Sequence, residues 1–440
     1  MRALVLHPVL SRARGSRDPE DALAEARSLA IALDLDVVDA IVVSVPRRRA
    51  GTLFGEGKVA EIGEAVAAAG IGLVIVDGAL SPVQQRNLER AWKAKVLDRT
   101  GLILEIFGER AQTREGVLQV ELAHLSYQKS RLVRSWTHLE RQRGGFGFLG
   151  GPGETQIEAD RRALDERIDR IREALAKAVR TRGQHRAARR RTDMPVVALV
   201  GYTNAGKSTL FNRLTGGGVL ARDMLFATLD PTMRAVEIAP GRRAILSDTV
   251  GFISDLPTQL VAAFRATLEE VVDADLILHV RDVAHPESAR QAENVREVLA
   301  ALGVGEAAEA RMIEVWNKVD ALPPADAEAL GAIAARTPRV AAISALTGQG
   351  VDALLAMVDA ELAEPTHDET VTVGFDQGRK RAWLFDRKLV QAEQQTEDGY
   401  RLDVRWSERD RSRWRALCAS CHGRKTAGSD GGFGNARRCS

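Results

Sequence analysis

The segment GYTNAGKS at residues 201–208 constrains the fold of this 440-residue chain more than any other feature. It follows the apolar run PVVALV and precedes the helical run TLFNRL, which is the strand, loop and helix context of a phosphate-binding loop. Gly201 and Gly206 let such a loop curl until its backbone N–H groups point at phosphate oxygens, beside the positive end of the following helix. We expect Lys207 to neutralise the β- and γ-phosphates and Ser208 to place its hydroxyl on Mg²⁺.

A second motif, DTVG at residues 248–251, follows the strand-like run AILS. From this position Asp248 can hold magnesium, usually through water, and the N–H of Gly251 can meet the γ-phosphate. Between the two motifs, the loop FATLDPT offers the hydroxyls of Thr228 and Thr232, and either could reach the magnesium. That threonine would lose its anchor when the γ-phosphate leaves, so the loop is expected to act as a switch.

Two further motifs predict how the base is read. NKVD at residues 317–320 closes the apolar run MIEVW, which places it at the carboxyl edge of a sheet, where ligands bind in open α/β folds. The carboxylate of Asp320 can accept from both the N1–H and the 2-amino group of guanine, whereas adenine has neither donor there. SAL at residues 344–346 is a candidate backbone donor to the guanine O6, and a surface turn is the alternative interpretation of this motif.

The five motifs occur in order, each at the end of a predicted strand, and together they specify base, phosphates and metal. They predict a magnesium-dependent, guanine-specific GTPase whose domain is α/β, with a doubly wound and mainly parallel sheet. Where Ras-like proteins have a glutamine that orients the attacking water, this chain has Phe252. An apolar ring cannot hydrogen-bond to water, so we expect slow intrinsic turnover that a partner completes. The alternative is that a nearby residue substitutes without help.

Composition excludes several other classes of protein. Hydrophobic residues make up 45% and charged residues 28% of the chain, which is typical of globular proteins rather than disordered or collagen-like ones. The 62 basic and 60 acidic side chains nearly cancel, so any affinity for nucleic acid must lie in local patches, and no DNA specificity is expected. The three cysteines lie at or after Cys418 and no apolar run approaches about 18 residues, which predicts a cytoplasmic protein without a transmembrane segment.

The pattern of apolar and charged residues predicts four regions. They are an N-terminal α/β domain over residues 1–116, a basic antiparallel helical hairpin over 117–192, a P-loop GTP-binding domain over 193–364, and a small C-terminal domain over 365–440. The hairpin is expected to carry a glycine-rich tip at residues 144–153, and residues 129–191 hold 17 Lys and Arg against 8 Asp and Glu. The last ~25 residues form a tail that is rich in Gly, Ser and Arg, a composition that favours disorder.

Motifs outside the nucleotide site resemble one family. They are GTLFGEGKVAEI, LSPVQQRNLE, VLDRTGLILEIF and GGFGFLGGPGETQIEADRR, beginning at residues 51, 80, 96 and 144. Together with FATLDPT and DTVGFI, they are similar to the HflX family of translation-factor-related GTPases over residues 1–375. Members of that family bind the large ribosomal subunit and, in some cases, split stalled or stressed ribosomes. The tail from residue 416 onward departs from the compact C-terminal end of the family.

The resemblance also implies site residues. It assigns the GTP and GDP contacts to Gly201, Tyr202, Thr203, Asn204, Ala205, Gly206, Lys207, Ser208, Phe226, Ala227, Thr228, Leu229, Asp230, Asp248, Thr249, Val250, Gly251, Asn317, Lys318, Val319, Asp320, Ser344, Ala345 and Leu346. It places Mg²⁺ on Ser208 and Thr228, which favours Thr228 over Thr232. The residues expected to act in catalysis are Lys207, Thr228 and Gly251.

Three functional hypotheses follow from these features. The first is a monomeric GTPase that, when GTP is bound, docks its basic hairpin on the large ribosomal subunit and its RNA, and is released by hydrolysis. In that case Phe146 and Phe148 at the tip could stack on bases, whereas the alternative for the hairpin is a solvated spacer. The second hypothesis is a GTP-dependent switch for another RNA or protein, or a factor in large-subunit assembly. The third, a phosphotransferase, lacks any feature for an acceptor site.

Overall fold

The computed structural model describes residues 1–10, 17–142, 152–190, 194–217, 226, 231–254, 270–301, 303–304, 309–363 and 366–422. The chain forms two compact units, Met1–Glu361 and Leu362–Ser440. Among the described residues, no helix is both long enough and apolar enough to cross a membrane.

Four parallel strands form the first sheet of the Met1–Glu361 unit, in the order β2-β1-β3-β4. They are β1 (Arg2–Leu10), β2 (Asp36–Val45), β3 (Leu73–Val76) and β4 (Lys95–Asp98), and the helices beside them are α1 (Pro19–Ile31), α2 (Glu56–Ala69), α3 (Pro82–Trp92) and α4 (Arg99–Arg110). Along β1, Ala3 and Val5 belong to one buried cluster while Leu4 and Leu6 belong to another. Both faces of this sheet are therefore covered, as is usual for parallel sheets.

Helix α4 was not predicted from the sequence. It begins directly after β4, where the Asp98 carboxylate caps it by accepting a hydrogen bond from the Gly101 N–H at 2.8 Å. Its apolar run is buried nearly all round, at Leu102 to Leu104 and at Ile106 and Phe107, so it lacks the one-sided period by which a surface helix is recognised. The first residue of α4 is Arg99, which is buried.

Two long helices, α5 (Arg114–Gln142) and α6 (Pro152–Arg190), form the predicted basic hairpin. Leu125 packs against Ile168 and Ile171 between them. The helices run antiparallel, because Glu121 pairs with Arg167 while Lys129, further along α5, pairs with an earlier position on α6. Helix α6 begins at Pro152 and continues to Arg190, so it includes the last two residues predicted for the tip and most of the basic run RAARRR. The rest of the tip, Phe146 and Phe148 included, lies outside the described residues.

The second sheet of this unit has six strands in the order β10-β9-β8-β5-β7-β6. They are β5 (Val196–Gly201), β6 (Thr232–Ala239), β7 (Arg242–Asp248), β8 (Leu276–Asp282), β9 (Met312–Asn317) and β10 (Val340–Ala342), accompanied by α7 (Lys207–Thr215), α8 (Ser288–Ala301), α9 (Pro324–Arg336) and α10 (Val351–Glu361). All pairs are parallel except β6 with β7. This arrangement confirms the predicted fold class, and the phosphate-loop motif lies at the carboxyl end of the central strand β5.

The Leu362–Ser440 unit contains a three-stranded antiparallel sheet in the order β11-β13-β12. Its elements are β11 (Thr366–Gly374), α11 (Gly378–Asp386), β12 (Val390–Thr396), β13 (Gly399–Ser407) and α12 (Glu408–His422). The core is formed around Leu402, Val404, Trp406 and Trp414. Helix α12 extends to His422, so the first residues of the tail for which disorder was expected are helical, and residues 423–440 lie outside the described residues.

Candidate nucleotide site

The phosphate-loop motif forms a tight turn between β5 and α7, and two of its glycines are required by close approaches. Gly206 has φ 93°, and a Cβ there would collide with Nδ2 of Asn317. A Cβ on Gly201 would collide with the carbonyl oxygen of Val280 on the neighbouring strand. Asn204 also has a positive φ, 60°, which asparagine tolerates better than most residues. The loop can therefore keep this shape only with small residues at both positions.

Lys207 is the first residue of α7 and is buried, with 5% of its surface exposed. Its Nζ donates hydrogen bonds to the carbonyl oxygens of Gly201 at 3.1 Å and Tyr202 at 2.8 Å. Burial lowers the pKa of Lys207 to about 8, although the nearby Asp248 carboxylate acts in the opposite direction. A buried cation held by two neutral carbonyls is well suited to receive an anion.

A hydroxyl and a carboxylate meet beside the start of α7. Ser208 Oγ donates a hydrogen bond to Asp248 Oδ2 at 2.7 Å, and Asp248 is fully buried at the end of β7. Mg²⁺ prefers oxygen ligands and is usually bound through one or two protein oxygens plus phosphates and water, so this pair fits a magnesium site. Thr228, the other residue predicted to bind the metal, lies outside the described residues, as do Ala227, Leu229 and Asp230.

The segment after Asp248 lies directly on the phosphate loop. Phe252 N–H donates to Gly201 O at 3.1 Å, and Thr203 N–H donates to Phe252 O at 2.7 Å. A Cβ on Gly251 would lie 2.7 Å from Thr203 Cγ2 and 3.0 Å from Lys207 Nζ, so a side chain at residue 251 would press on the loop and the lysine. The buried Thr249 hydroxyl donates to Leu199 O at 2.6 Å, and this contact anchors the same segment to β5.

Two phenylalanines predicted at the site are part of the core. Phe252 is 2% exposed and belongs to the same buried cluster as Phe226. Phe226 packs edge-on against Phe107 of α4, with ring centroids 4.9 Å apart. The Phe252 ring is therefore packed in the core, and this residue contacts the phosphate loop through its backbone.

On the base side, Asn317 connects three motifs. Its Nδ2 donates to Ala205 O in the phosphate loop at 2.8 Å, and its Oδ1 accepts from the Ala345 N–H at 2.8 Å. Lys318, with φ 68°, forms an ion pair with Asp282 at 2.7 Å. Asp320 is exposed in the short 3-10 helix Val319–Ala321 and is free to face a base. The phosphate loop, NKVD and SAL thus meet at one edge of the sheet.

Sequence reasoning missed Arg213 in α7. Its Nε donates to Ala345 O at 2.6 Å, and its guanidinium also donates to Leu346 O, so Arg213 links α7 to the SAL loop. Ser344 is fully buried, and its Oγ accepts from Thr347 N–H at 3.0 Å, whereas Leu346 is 70% exposed. Nothing local marks Arg213, because its partners lie more than 130 residues away along the chain.

Family models match four consecutive parts of the chain. A GTP-binding GTPase N-terminal model matches residues 20–108, and a GTP-binding GTPase middle-region model matches residues 110–189. A model described as a 50S ribosome-binding GTPase matches residues 196–318, and an HflX C-terminal domain model matches residues 329–418.

Several known proteins are similar over most of their length. The GTPase HflX of Magnetococcus marinus is 53% identical over 336 residues, which is 76% of this chain and 76% of that protein. The GTPase HflX of Escherichia coli is 45% identical over 403 residues, which is 91% of this chain and 92% of that protein. A crystal structure of a GTP-binding protein from Sulfolobus solfataricus in complex with GDP is 24% identical, with a TM-score of 0.45, and covers 82% of this chain and 98% of that one.

Proposed function

The chain belongs to the HflX family of GTPases, and we propose that it binds the large ribosomal subunit and couples GTP binding and hydrolysis to ribosome splitting, rescue or recycling under stress. The nucleotide chemistry of the proposal rests on the buried Lys207, held by two backbone carbonyls where the phosphate loop, DTVG and NKVD meet, and its ribosomal part rests on the basic hairpin. A cytoplasmic location and action as a monomer are part of the same proposal.

In the proposed reaction, Lys207 exchanges its two carbonyl acceptors for β- and γ-phosphate oxygens. The exchange is favourable because it gives a buried ammonium two anionic partners in place of neutral ones. Backbone N–H groups of the phosphate loop bind the same phosphates, and the N–H of Gly251 meets the γ-phosphate. Asp320 accepts from the N1–H and 2-amino groups of guanine and so selects GTP over ATP.

Ser208 and Asp248 are the described residues that would hold Mg²⁺, with Thr228 as the proposed second hydroxyl. When bound, the metal would neutralise charge on the β- and γ-phosphates. The hydrogen bond between Ser208 and Asp248 already brings their oxygens to 2.7 Å, so little side-chain rearrangement is required before the metal binds.

In this proposal, the ribosome helps to orient the attacking water. Phe252 is buried and cannot orient that water, so the site requires a group from elsewhere for rapid turnover. Partners that complete a GTPase site accelerate hydrolysis by orders of magnitude. The basic hairpin of α5 and α6 is suited to bind ribosomal RNA through its phosphates, since residues 129–191 carry 17 basic against 8 acidic side chains.

We would test the proposal by measuring single-turnover and steady-state GTP hydrolysis with and without purified large ribosomal subunits. The expected result is stimulation by at least about tenfold, absent in Lys207→Ala and absent with small subunits at the same concentration. The small subunit is the matched control, because it offers similar RNA charge without the proposed docking surface. Hydrolysis that is equally slow with and without large subunits would exclude this function and favour a GTP-dependent switch for another RNA or protein partner.

A further inference from the structure

A buried group of polar side chains joins α1 and α4 of the first sheet region to the nucleotide site. Its centre is the Glu25 carboxylate on α1, which accepts hydrogen bonds from the hydroxyl of Tyr202 and from the guanidinium of Arg99. Glu25 also pairs with Arg17 at 3.0 Å. The Glu25, Arg17 and Arg99 side chains are each no more than 10% exposed. We call Glu25, Arg99, Tyr202 and Ser254 the Glu25 cluster.

Ser254 is held in the Glu25 cluster by all of its polar groups. Its N–H donates to the Tyr202 hydroxyl oxygen at 2.7 Å, and its Oγ lies 2.8 Å from the same oxygen. Its carbonyl accepts from Arg99 at 2.9 Å, and Asn294 of α8 donates to its Oγ at 3.2 Å. Arg99 and Tyr202 thus bind Ser254 and Glu25 at once, which closes a ring of hydrogen bonds.

Tyr202 and Ser254 come from the two chain segments that meet at the nucleotide site. Tyr202 is the second residue of the phosphate loop, and Ser254 lies three residues after Gly251, whose N–H is proposed to meet the γ-phosphate. The backbones of the two segments also pair directly, with Tyr202 bridged to Phe252. In addition to this backbone pairing, the Glu25 cluster connects the phosphate loop, through one phenolic oxygen, to the segment that carries Gly251.

The charges of the surroundings favour this arrangement. Arg99 pairs with Asp77 at 2.6 Å as well as with Glu25, and Asp77 also bonds His7 at 2.7 Å. Burial, together with the adjacent Glu25 carboxylate, raises the pKa of Tyr202, so the phenol stays protonated. It can then donate to Glu25 and still accept from Ser254 N–H. Hydrogen bonds to an ionised partner are stronger than neutral ones, which makes the Tyr202–Glu25 contact well suited to hold both segments.

We propose that Tyr202 is a positioning residue for GTP hydrolysis, through which Glu25 and Arg99 hold Ser254, and with it the Gly251 N–H, in place against the phosphate loop. The proposal rests on the GTPase activity proposed above. The hydroxyl is not among the groups expected to touch the nucleotide, which are Lys207, the loop N–H groups and Asp320. Its loss should therefore act on the rate of hydrolysis and leave ground-state binding nearly unchanged.

The decisive variant is Tyr202→Phe, which removes one oxygen and keeps the buried ring. We expect the single-turnover rate of GTP hydrolysis to fall about ten- to a hundredfold, because small displacements of positioning groups have effects of that size. The dissociation constants of GTP and GDP should change by less than about threefold. Both are measured without ribosomes, so the result does not depend on whether ribosomes stimulate the enzyme.

Tyr127→Phe is the matched control. Tyr127 is a half-buried tyrosine whose hydroxyl donates to a carboxylate, that of Asp98 at 2.7 Å, and accepts from an arginine, Arg131, but it lies on α5 and its hydroxyl bonds no member of the Glu25 cluster. We expect its hydrolysis rate to match that of the wild type. If Tyr127→Phe lowers the rate as much as Tyr202→Phe does, the effect is one of general stability and the positioning role is wrong.

Glu25→Gln is the second variant, since it keeps an acceptor for the Tyr202 hydroxyl but removes the charge. We expect a smaller fall in rate than for Tyr202→Phe, and a double variant whose rate is close to that of Tyr202→Phe alone, because both act through one contact. A double variant whose rate falls by the product of the two single-variant effects would contradict this expectation. A Tyr202→Phe rate within about twofold of wild type, or a loss of affinity as large as the loss of rate, would overturn the proposal.

Discussion

Two buried cations, Arg99 and Lys207, occupy comparable places in the two parallel sheets of the Met1–Glu361 unit, yet their surroundings differ. Each is the first residue of a helix that follows the carboxyl end of a strand, and each is at least nine-tenths buried. Burial acts to lower the pKa of Arg99, but its bonds to the carboxylates of Asp77 and Glu25 outweigh this and raise the pKa. Lys207 bonds two backbone carbonyls, and burial lowers its pKa to about 8.

The difference separates a charge used for structure from a charge kept for a ligand. The protein itself supplies the anions for Arg99, so this cation connects elements of the fold. In the described part of the chain, Lys207 has no carboxylate within ion-pair distance, and the substrate phosphates are expected to provide its partners. Substitution of the two cations should therefore have opposite consequences for stability and for activity.

The largest expected effect is on stability, from Arg99→Met. Removing the guanidinium would leave the buried Glu25 and Asp77 carboxylates without their main cation, and breaking a buried pair in this way costs about 3–5 kcal/mol of unfolding free energy. Urea denaturation of the nucleotide-free protein measures this loss. Arg167→Met, which removes an exposed ion pair with Glu121, is the control and should cost no more than about 1 kcal/mol. Equal losses in the two variants would show that Arg99 is not a structural centre.

Lys207→Met should show the opposite pattern. Loss of a group that stabilises transition-state charge lowers the single-turnover rate of GTP hydrolysis by about 10²–10³-fold. The free energy of unfolding without nucleotide should stay the same or increase, since methionine fills similar space and removes a buried charge. A variant that loses activity and stability together would mean that Lys207, like Arg99, supports the fold.

The smallest expected effect is a dependence of GTP affinity on pH. Because the pKa of Lys207 is about 8 before binding, below its ordinary value of 10.5, binding above pH 8 requires uptake of a proton. Affinity should therefore fall as pH rises, by about fivefold between pH 8 and pH 9. For the same reason, the destabilisation that the buried lysine causes in the nucleotide-free fold should diminish as pH rises from about 8 to 10.5, where the unfolded chain binds more protons.

Titration of a fluorescent GTP analogue at several pH values would measure this dependence. Lys207→Met, in which the titrating group is absent, should bind weakly with the same affinity at pH 8 and pH 9. The lysine would not be the titrating group if wild type and variant showed the same decline.

Lys207 lies in a local sequence motif, whereas Arg99 bonds residues that are distant in the chain, and this difference explains which features the sequence predicted. The family and the P-loop fold class were predicted correctly, and β5, β7, β9 and β10 lie where apolar runs precede the nucleotide motifs. The antiparallel strand β6 and helix α4 were not predicted. The sequence also showed that Phe252 could not orient water, whereas its burial in the core and its backbone contacts with the phosphate loop required the structure.

By itself, the sequence determined the phosphate loop, the order of the nucleotide motifs and the basic hairpin, because each depends on residues close together in the chain. A loop that binds phosphate requires its glycines, lysine and serine at short, regular spacings. Only the tertiary structure decided that Tyr202 meets Glu25, which is 177 residues away, and that Arg99 reaches Ser254 across 155 residues. Such contacts depend on how separate elements pack together, and no local pattern of residues records that packing.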